Sequence, residues 1–260
     1  MVSEFPADPG RIVVAGDWHG AKNRSYVVIE YAGNTGVPVV LHLGDFGFWV
    51  PGRATDHYLD HVEKTCAAFD VTLLWVDGNH EAHPTLNNIP LNDDGVRPIR
   101  DHILHLPRGF RWTWGVHTWM ALGGAHSVDR KWRTEGRDWW PEETLTEADV
   151  QRAVSGGPVD VIAAHDSPDG TDLASRLRSG VFPDEDIVLA KEHRRQVGRV
   201  VDATRPGALF HGHYHLRHTT YRNLPGGGRT VVIGLASDSE SLRGNSALVD
   251  LSDPFTATTL

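Results

Sequence analysis

The constraint that narrows this chain most is where its polar clusters fall. Asp17-Trp18-His19, Gly44-Asp45, Gly78-Asn79-His80-Glu81, His165-Asp166 and Gly212-His213-Tyr214-His215 each follow a short apolar, β-like run. Arg11 to Ala15, Val37 to Leu43 and Val71 to Val76 read as buried strands, with helices expected over Ala21 to Ala32 and Ala54 to Phe69 between them. This βαβαβ alternation calls for parallel strands joined by crossover helices. The polar clusters then lie at the carboxyl ends of strands, where open α/β sheets bind their ligands.

Beyond His83 the pattern changes. Ile103 to Leu106, Phe110 to Trp114 and His117 to Leu122 are closely spaced and suggest antiparallel hairpins. A polar segment, Gly123 to Glu143, follows. Leu145 to Val154 reads as a helix with Thr144 or Thr146 as its N-cap, and Val159 to Ala164 as a buried strand ending at His165. Asp184 to Ala203 reads as a helix with acidic residues first and basic ones later, as the macrodipole favours. Ala208 to Phe210, His218 to Arg222, Thr230 to Leu235 and Ser246 to Leu251 complete a second group of strands.

The clusters hold metal-ligand chemistry. Residues i and i+2 of an extended chain face the same side, so Asp17 and His19 can reach one ion. Asp45 has two oxygens with which to bridge two ions, Asn79 offers an amide oxygen, and His165, His213 and His215 offer imidazoles. Mixed nitrogen and oxygen ligation suits Mn, Fe, Co, Ni or Zn better than Ca or fully hydrated Mg. Taken singly, each cluster reads as a turn or a hydrogen-bonded histidine. The ordered set points to a pair of divalent cations, which at a separation of about 3.5–4 Å can activate water and clamp an in-line displacement at phosphorus.

Composition restricts the partners. A net charge of −9 argues against sequence-independent nucleic-acid binding, although two dications would outweigh Asp17 and Asp45 and attract anions locally. The single cysteine, Cys66, reads as a buried apolar residue and suits a reducing, cytoplasmic setting. Met1 to Gly10 lacks the basic and apolar regions of a signal peptide, and no run approaches the roughly 18 apolar residues of a membrane span.

The blocks D-x-H, G-D, G-N-H, H and G-H-x-H, in this order from Ile12 to His215, resemble the calcineurin-like metallophosphoesterases. The resemblance implies an α/β fold: a four-layer αββα sandwich of two facing mixed β-sheets flanked by helices. It would form one domain over residues 1–260 with a core near 11–251. It also implies two divalent metal ions, Mn being expected and Fe, Zn, Ni or Co the alternatives. One would take Asp17, His19, Asp45 and His215, the other Asp45, Asn79, His165 and His213. His80 matches the histidine that assists the leaving group, expected to act as an imidazolium while a metal-bridging hydroxide attacks in line.

Two departures narrow the subclass. The protein phosphatases of this superfamily read G-D-x-x-D-R-G at the second block, where this chain has Gly44-Asp45-Phe46-Gly47-Phe48-Trp49. Phe48 and Trp49 thus replace the Asp and Arg that orient the catalytic histidine and grip phosphate, leaving Asp77, Glu81 and Asp166 as candidate partners of His80. The full G-H-x-H, with His215, resembles the phosphodiesterase and nuclease branches, whereas Glu81 matches the phosphatases' G-N-H-E. The segment 123–143 reads as a lid or substrate-loop insert. In it, Arg130, Arg133, Arg137 and His126 are candidate substrate contacts, and a tryptophan such as Trp139 or Trp140 is a candidate stacking surface for a base. His42 and His211 read as packing or support for the ligand loops. The expectation is a phosphodiesterase acting on a small, nucleotide-like phosphate ester, with nucleic acid as a partner only in the role of substrate. The alternatives are a phosphomonoesterase or protein phosphatase, a nuclease, and a non-catalytic metal-binding scaffold.

Overall fold

The computed structural model describes residues 4–173 and 182–260. Its first half alternates strands and helices: β1 (Arg11–Ala15), α1 (Lys22–Asn34), β2 (Val39–His42), α2 (Arg53–Phe69), β3 (Thr72–Trp75), a short α3 (His83–Asn87), β4 (Arg97–Pro98) and β5 (Ile103–His105). Helix α2 forms because Tyr58, Leu59, Val62 and Cys66 repeat at helical spacing and bury one face. It ends where Asp70 turns left-handed.

The second half carries β6 (Arg111–Trp114), β7 (His117–Leu122), α4 (Glu147–Ser155), β8 (Val161–Ala164), α5 (Asp184–Thr204), β9 (Ala208–His211), β10 (His218–Asn223) and β11 (Arg229–Gly234). A short α6 (Leu242–Asn245) leads into β12 (Ser246–Asp250) and β13 (Thr258–Thr259), which return to the first sheet. The sheet orders are β13-β12-β1-β2-β3-β5-β4 and β10-β11-β9-β8-β7-β6. Strands β1, β2, β3 and β5 run parallel, as do β7, β8, β9 and β11, while the edges pair antiparallel.

Three apolar layers tie these elements together. Ile12, Val14, Leu41 and Leu74 of the first sheet meet Trp114, Trp119, Ala163 and Phe210 of the second in a core between the sheets. Val13, Val40, Leu73 and Trp75 point outward onto Ile29, Tyr58 and Val62 of α1 and α2. Met120, Ile162 and Leu209 point outward onto Val150, Val197 and Val201 of α4 and α5. The result is the αββα arrangement expected from the sequence. Strand residues buried on both faces explain why these runs are continuously apolar rather than alternating.

Two local expectations are corrected. Strand β5 forms no hairpin with β6. Ile103, Leu104 and His105 are all buried, and β5 pairs parallel with β3, while β6 and β7 make their hairpin in the other sheet. The basic residues of α5 lie mid-helix with none in the last turn, so the dipole is complemented at the acidic N-terminus alone. Trp112, Trp114 and Trp119 are core residues, but Trp132 is 61% exposed. At α4 the cap is Thr146, in a capping box with Asp149. Among the described residues no helix is long and apolar enough to cross a membrane.

Candidate metal centre

Because β1, β2, β3, β8 and β9 are parallel within their sheets, the loops that leave their carboxyl ends bring the five clusters to one edge of the sandwich. Asp17, His19 and His215 converge, as do Asp45, His165 and His213, their ligand atoms within 4.8 Å of one another in each group. A third group joins His19, Asp45 and His80.

The backbone is bent to achieve this. Among the described residues, six non-glycine residues have positive φ, and four are His19 (44°), Asp45 (53°), His213 (65°) and His215 (53°). The other two, Asp70 and Arg205, end α2 and α5. Left-handed backbone at ordinary residues costs about 1–3 kcal/mol each and persists where surrounding contacts impose it. Here the His19 N–H donates to the Asp45 carbonyl (2.8 Å) and the His213 N–H to Asp17 Oδ1 (3.0 Å). Close approach also demands glycine: a Cβ on Gly78 would lie 2.2 Å from Asp45 Oδ1, and one on Gly212 2.1 Å from Asp17 Oδ1.

Asp45 occupies the centre. Its Oδ1 accepts from the N–H groups of Asn79 (3.0 Å) and His80 (2.9 Å) and lies 3.5 Å from His165 Nε2. Its Oδ2 faces His19 Nε2 at 3.5 Å and His80 Nε2 at 3.7 Å. One buried carboxylate therefore reaches both halves of the ligand set. Asn79 turns its Oδ1 to His165 Nε2 (3.0 Å), and Asp17 Oδ2 meets His215 Nε2 (3.1 Å). Burial opposes charge on His19 and His165, yet Asp45 holds both up at about 10, so the carboxylates here recruit positive charge strongly. Carboxylate, amide and imidazole donors converging on shared Asp45 fit two divalent cations of the transition-metal type.

A sequence profile described as Calcineurin-like phosphoesterase matches residues 10–217. The chain belongs to that family. Its members depend on two metal ions, and the chain is a hydrolase of phosphoric ester bonds. No curated protein matches it. Among solved structures, its fold is similar to a protein of Thermus thermophilus (13% identity, 96% of this chain and 97% of that one, TM-score 0.56). It is similar also to a dimetal phosphatase from Danio rerio (16% identity, 94% and 93%, TM-score 0.56). At these identities the likeness is one of fold.

In this calcineurin-like phosphoesterase the three candidate partners of His80 are engaged elsewhere. Asp77 accepts from Arg108, Glu81 takes the N–H groups of Phe46 and Gly78, and Asp166 takes His193 and Tyr214. The His80 ring meets Arg133 instead, whose Nη2 lies 2.5 Å from Nε2. A guanidinium only donates, so Nε2 accepts and the ring is neutral there. Burial, with the charges of Arg133 and His19, holds His80 below the usual histidine range against the pull of Asp45.

The other candidate substrate contacts have partners of their own. His126 is buried and bonds Asp186 (3.1 Å), Arg130 bonds Asp186 and Glu185, and exposed Arg137 pairs with Asp138. Of the candidate stacking tryptophans, Trp140 is buried and Trp139 lies against the Arg130 guanidinium. His42 accepts from the Gly44 N–H, and His211 donates to the Gly212 carbonyl, so both brace ligand loops.

Several supporting residues escaped the sequence. Asp238, beyond β11, contacts His19 Nδ1 (3.0 Å), leaving Nε2 for a ligand role, while His165 Nδ1 is fixed by the Leu43 carbonyl (2.7 Å). Asn79 Nδ2 donates to Ser127 Oγ (2.9 Å), which buried Glu143 holds, so the amide oxygen faces the cluster. Asn245 bonds the Asp17 carbonyl and the Trp18 indole, which packs in the core. No local motif marks these residues, because each is distant in sequence from its partner. Carboxylate partners of ligand histidines typically contribute 10–100-fold in metal affinity. Asp238→Ala should therefore weaken Mn binding, measured by calorimetric titration, by about 10–100-fold. Unchanged affinity would remove Asp238 from the centre.

Proposed function

We propose that this chain hydrolyses phosphodiesters of a small, nucleotide-like kind with two divalent cations, Mn being the expected metal. Asp17, His19, Asp45 and His215 would hold one cation, and Asp45, Asn79, His165 and His213 the other. The observation that carries this reading is Asp45, buried, its two oxygens turned to different imidazoles at 3.5 Å. Bound there, two dications supply an activated water and neutralise charge on the phosphoryl oxygens.

The chain's own groups then do the rest. The hydrogen bonds of His19 and His165 through Nδ1 present Nε2 in a fixed direction. The Asn79 and His80 N–H groups hold Asp45 against rotation. His80 is the group placed to give a proton to the departing oxygen, since its Nε2 lies 3.7 Å from the central carboxylate and its side chain is 34% exposed. Phe48 is buried where protein phosphatases carry an Asp, and the full His213-Tyr214-His215 block is present, which favours a diester. Trp132, exposed one residue before Arg133, offers a face on which a base can stack.

The test is Mn-supported turnover of bis-p-nitrophenyl phosphate, p-nitrophenyl phosphate, 2′,3′- and 3′,5′-cyclic nucleotides, a phosphopeptide and single-stranded DNA and RNA. Diesters should exceed monoesters, and His80→Ala should lower kcat by about 10²–10⁴-fold. Strong preference for the monoester or phosphopeptide would overturn the diester reading.

A further inference from the structure

We infer that Asp129 and Arg133, from the segment between β7 and α4, form the phosphate grip of this site, in place of the Asp and Arg absent from the second block. The inference rests on the reading of the site as a phosphoesterase centre. Its basis is a contact: Arg133 Nη2 lies 2.5 Å from His80 Nε2, and His80 in turn faces Asp45 Oδ2. Arg133 is brought there from a distance of 53 residues in sequence, and its side chain is only 8% exposed. Asp129 clasps the same nitrogen with both oxygens, at 2.8 and 2.9 Å. The pair leaves the guanidinium oriented and only partly neutralised, since Asp129 is itself 38% exposed.

The segment is built to hold that position. Its start is pinned by the Gly124 N–H on the Asp77 carbonyl and by Ser127 on Asn79. Its end is pinned by Arg108, which donates to the carbonyls of Glu142, Glu143 and Thr144. Between these anchors a short turn over Arg130–Trp132 delivers Arg133 in extended backbone, and the Arg133 Nη1 donates back to the Asp138 carbonyl. Both anchors touch residues next to or within the ligand set, so the segment and the centre are one structure.

The chemistry follows from donor and acceptor roles. While Arg133 donates to Nε2, that nitrogen has no proton to give. A phosphoryl oxygen is a charged acceptor and a stronger partner for guanidinium than neutral imidazole. A phosphate entering the centre draws Arg133 off His80, and the same movement frees Nε2 to take a proton from solvent and pass it to the leaving oxygen. Arg133 thus touches substrate, and Asp129 is a positioning residue.

The experiment measures binding of inorganic phosphate to the Mn-loaded protein by calorimetry, with KM and kcat for bis-p-nitrophenyl phosphate and metal content alongside. Arg133→Ala should weaken phosphate binding and raise KM by about 10–100-fold, with two Mn retained. Arg133→Lys should recover part of the loss, because it keeps the charge without the fork. Asp129→Asn should raise KM about 2–5-fold with kcat nearly unchanged. Lys131→Ala, which removes a charge from the same exposed turn, should match the wild type. Wild-type phosphate affinity in a folded Arg133→Ala protein overturns the inference, as does an unaltered KM in Asp129→Asn should Arg133→Ala not fold. A wild type that binds phosphate through Arg133 but hydrolyses no ester would instead sink the functional reading alone. Failure to bind phosphate at all would sink both.

Discussion

Asp45→Asn should reduce metal-dependent turnover by about 10³-fold or more, the several kcal/mol that a two-metal clamp supplies. The substitution is nearly isosteric, so the fold should survive and the melting temperature stay close to that of the wild type. The loss comes from orientation. Oδ1 of Asp45 accepts two N–H groups, from Asn79 and His80, and an asparagine must turn its carbonyl oxygen to them. Its NH2 then points where Oδ2 now faces His19, and an amide nitrogen has no lone pair for a cation. Metal content should drop with activity. Turnover within tenfold of the wild type would remove Asp45 from the bridging role.

Arg108→Ala should destabilise the protein by about 3–5 kcal/mol, the usual consequence of stripping one partner from a buried ion pair. Asp77 is buried and accepts from Arg108 Nε (2.9 Å) and Nη2 (2.7 Å), with His105 Nε2 at 3.4 Å. Burial alone would raise the Asp77 carboxyl, but the Arg108 guanidinium and the His105 hydrogen bond outweigh it and hold it well below the usual carboxylate range. A depressed folded-state value means that the group's stabilisation is fully present above its unfolded value of about 3.9 and fades as pH falls below it. Without Arg108 burial prevails, the folded-state value rises, and stability should instead fall as pH climbs from about 4 towards neutrality. Urea melts across that range check the sign. A variant with wild-type stability and an unchanged pH slope would contradict this account of the pair.

The sandwich and its ligand loops were legible because they are local. Buried parallel strands write themselves as apolar runs such as Val71 to Val76, and helices such as α2 as a repeat of buried positions. The ligand clusters sit directly at strand ends, so finding the strands finds Asp17, Asp45, Asn79, His165 and His213. What stayed hidden depends on contacts across long chain separations. Nothing near Asp238 or Glu143 announces the histidine or the asparagine that they support through space. The sequence offers the carboxylates of Asp77, Glu81 and Asp166 as partners for His80, and a cation 53 residues away stands there instead. Short elements escaped for another reason: α3 and α6 span barely a turn, too little to show a period.

Anomalous diffraction from crystals grown with Mn tests the central claim most directly. Two peaks about 3.5–4 Å apart on either side of Asp45 are expected, one beside Asp17, His19 and His215 and the other beside Asn79, His165 and His213. A single peak, or peaks remote from Asp45, would contradict the paired-metal centre and the chemistry built on it.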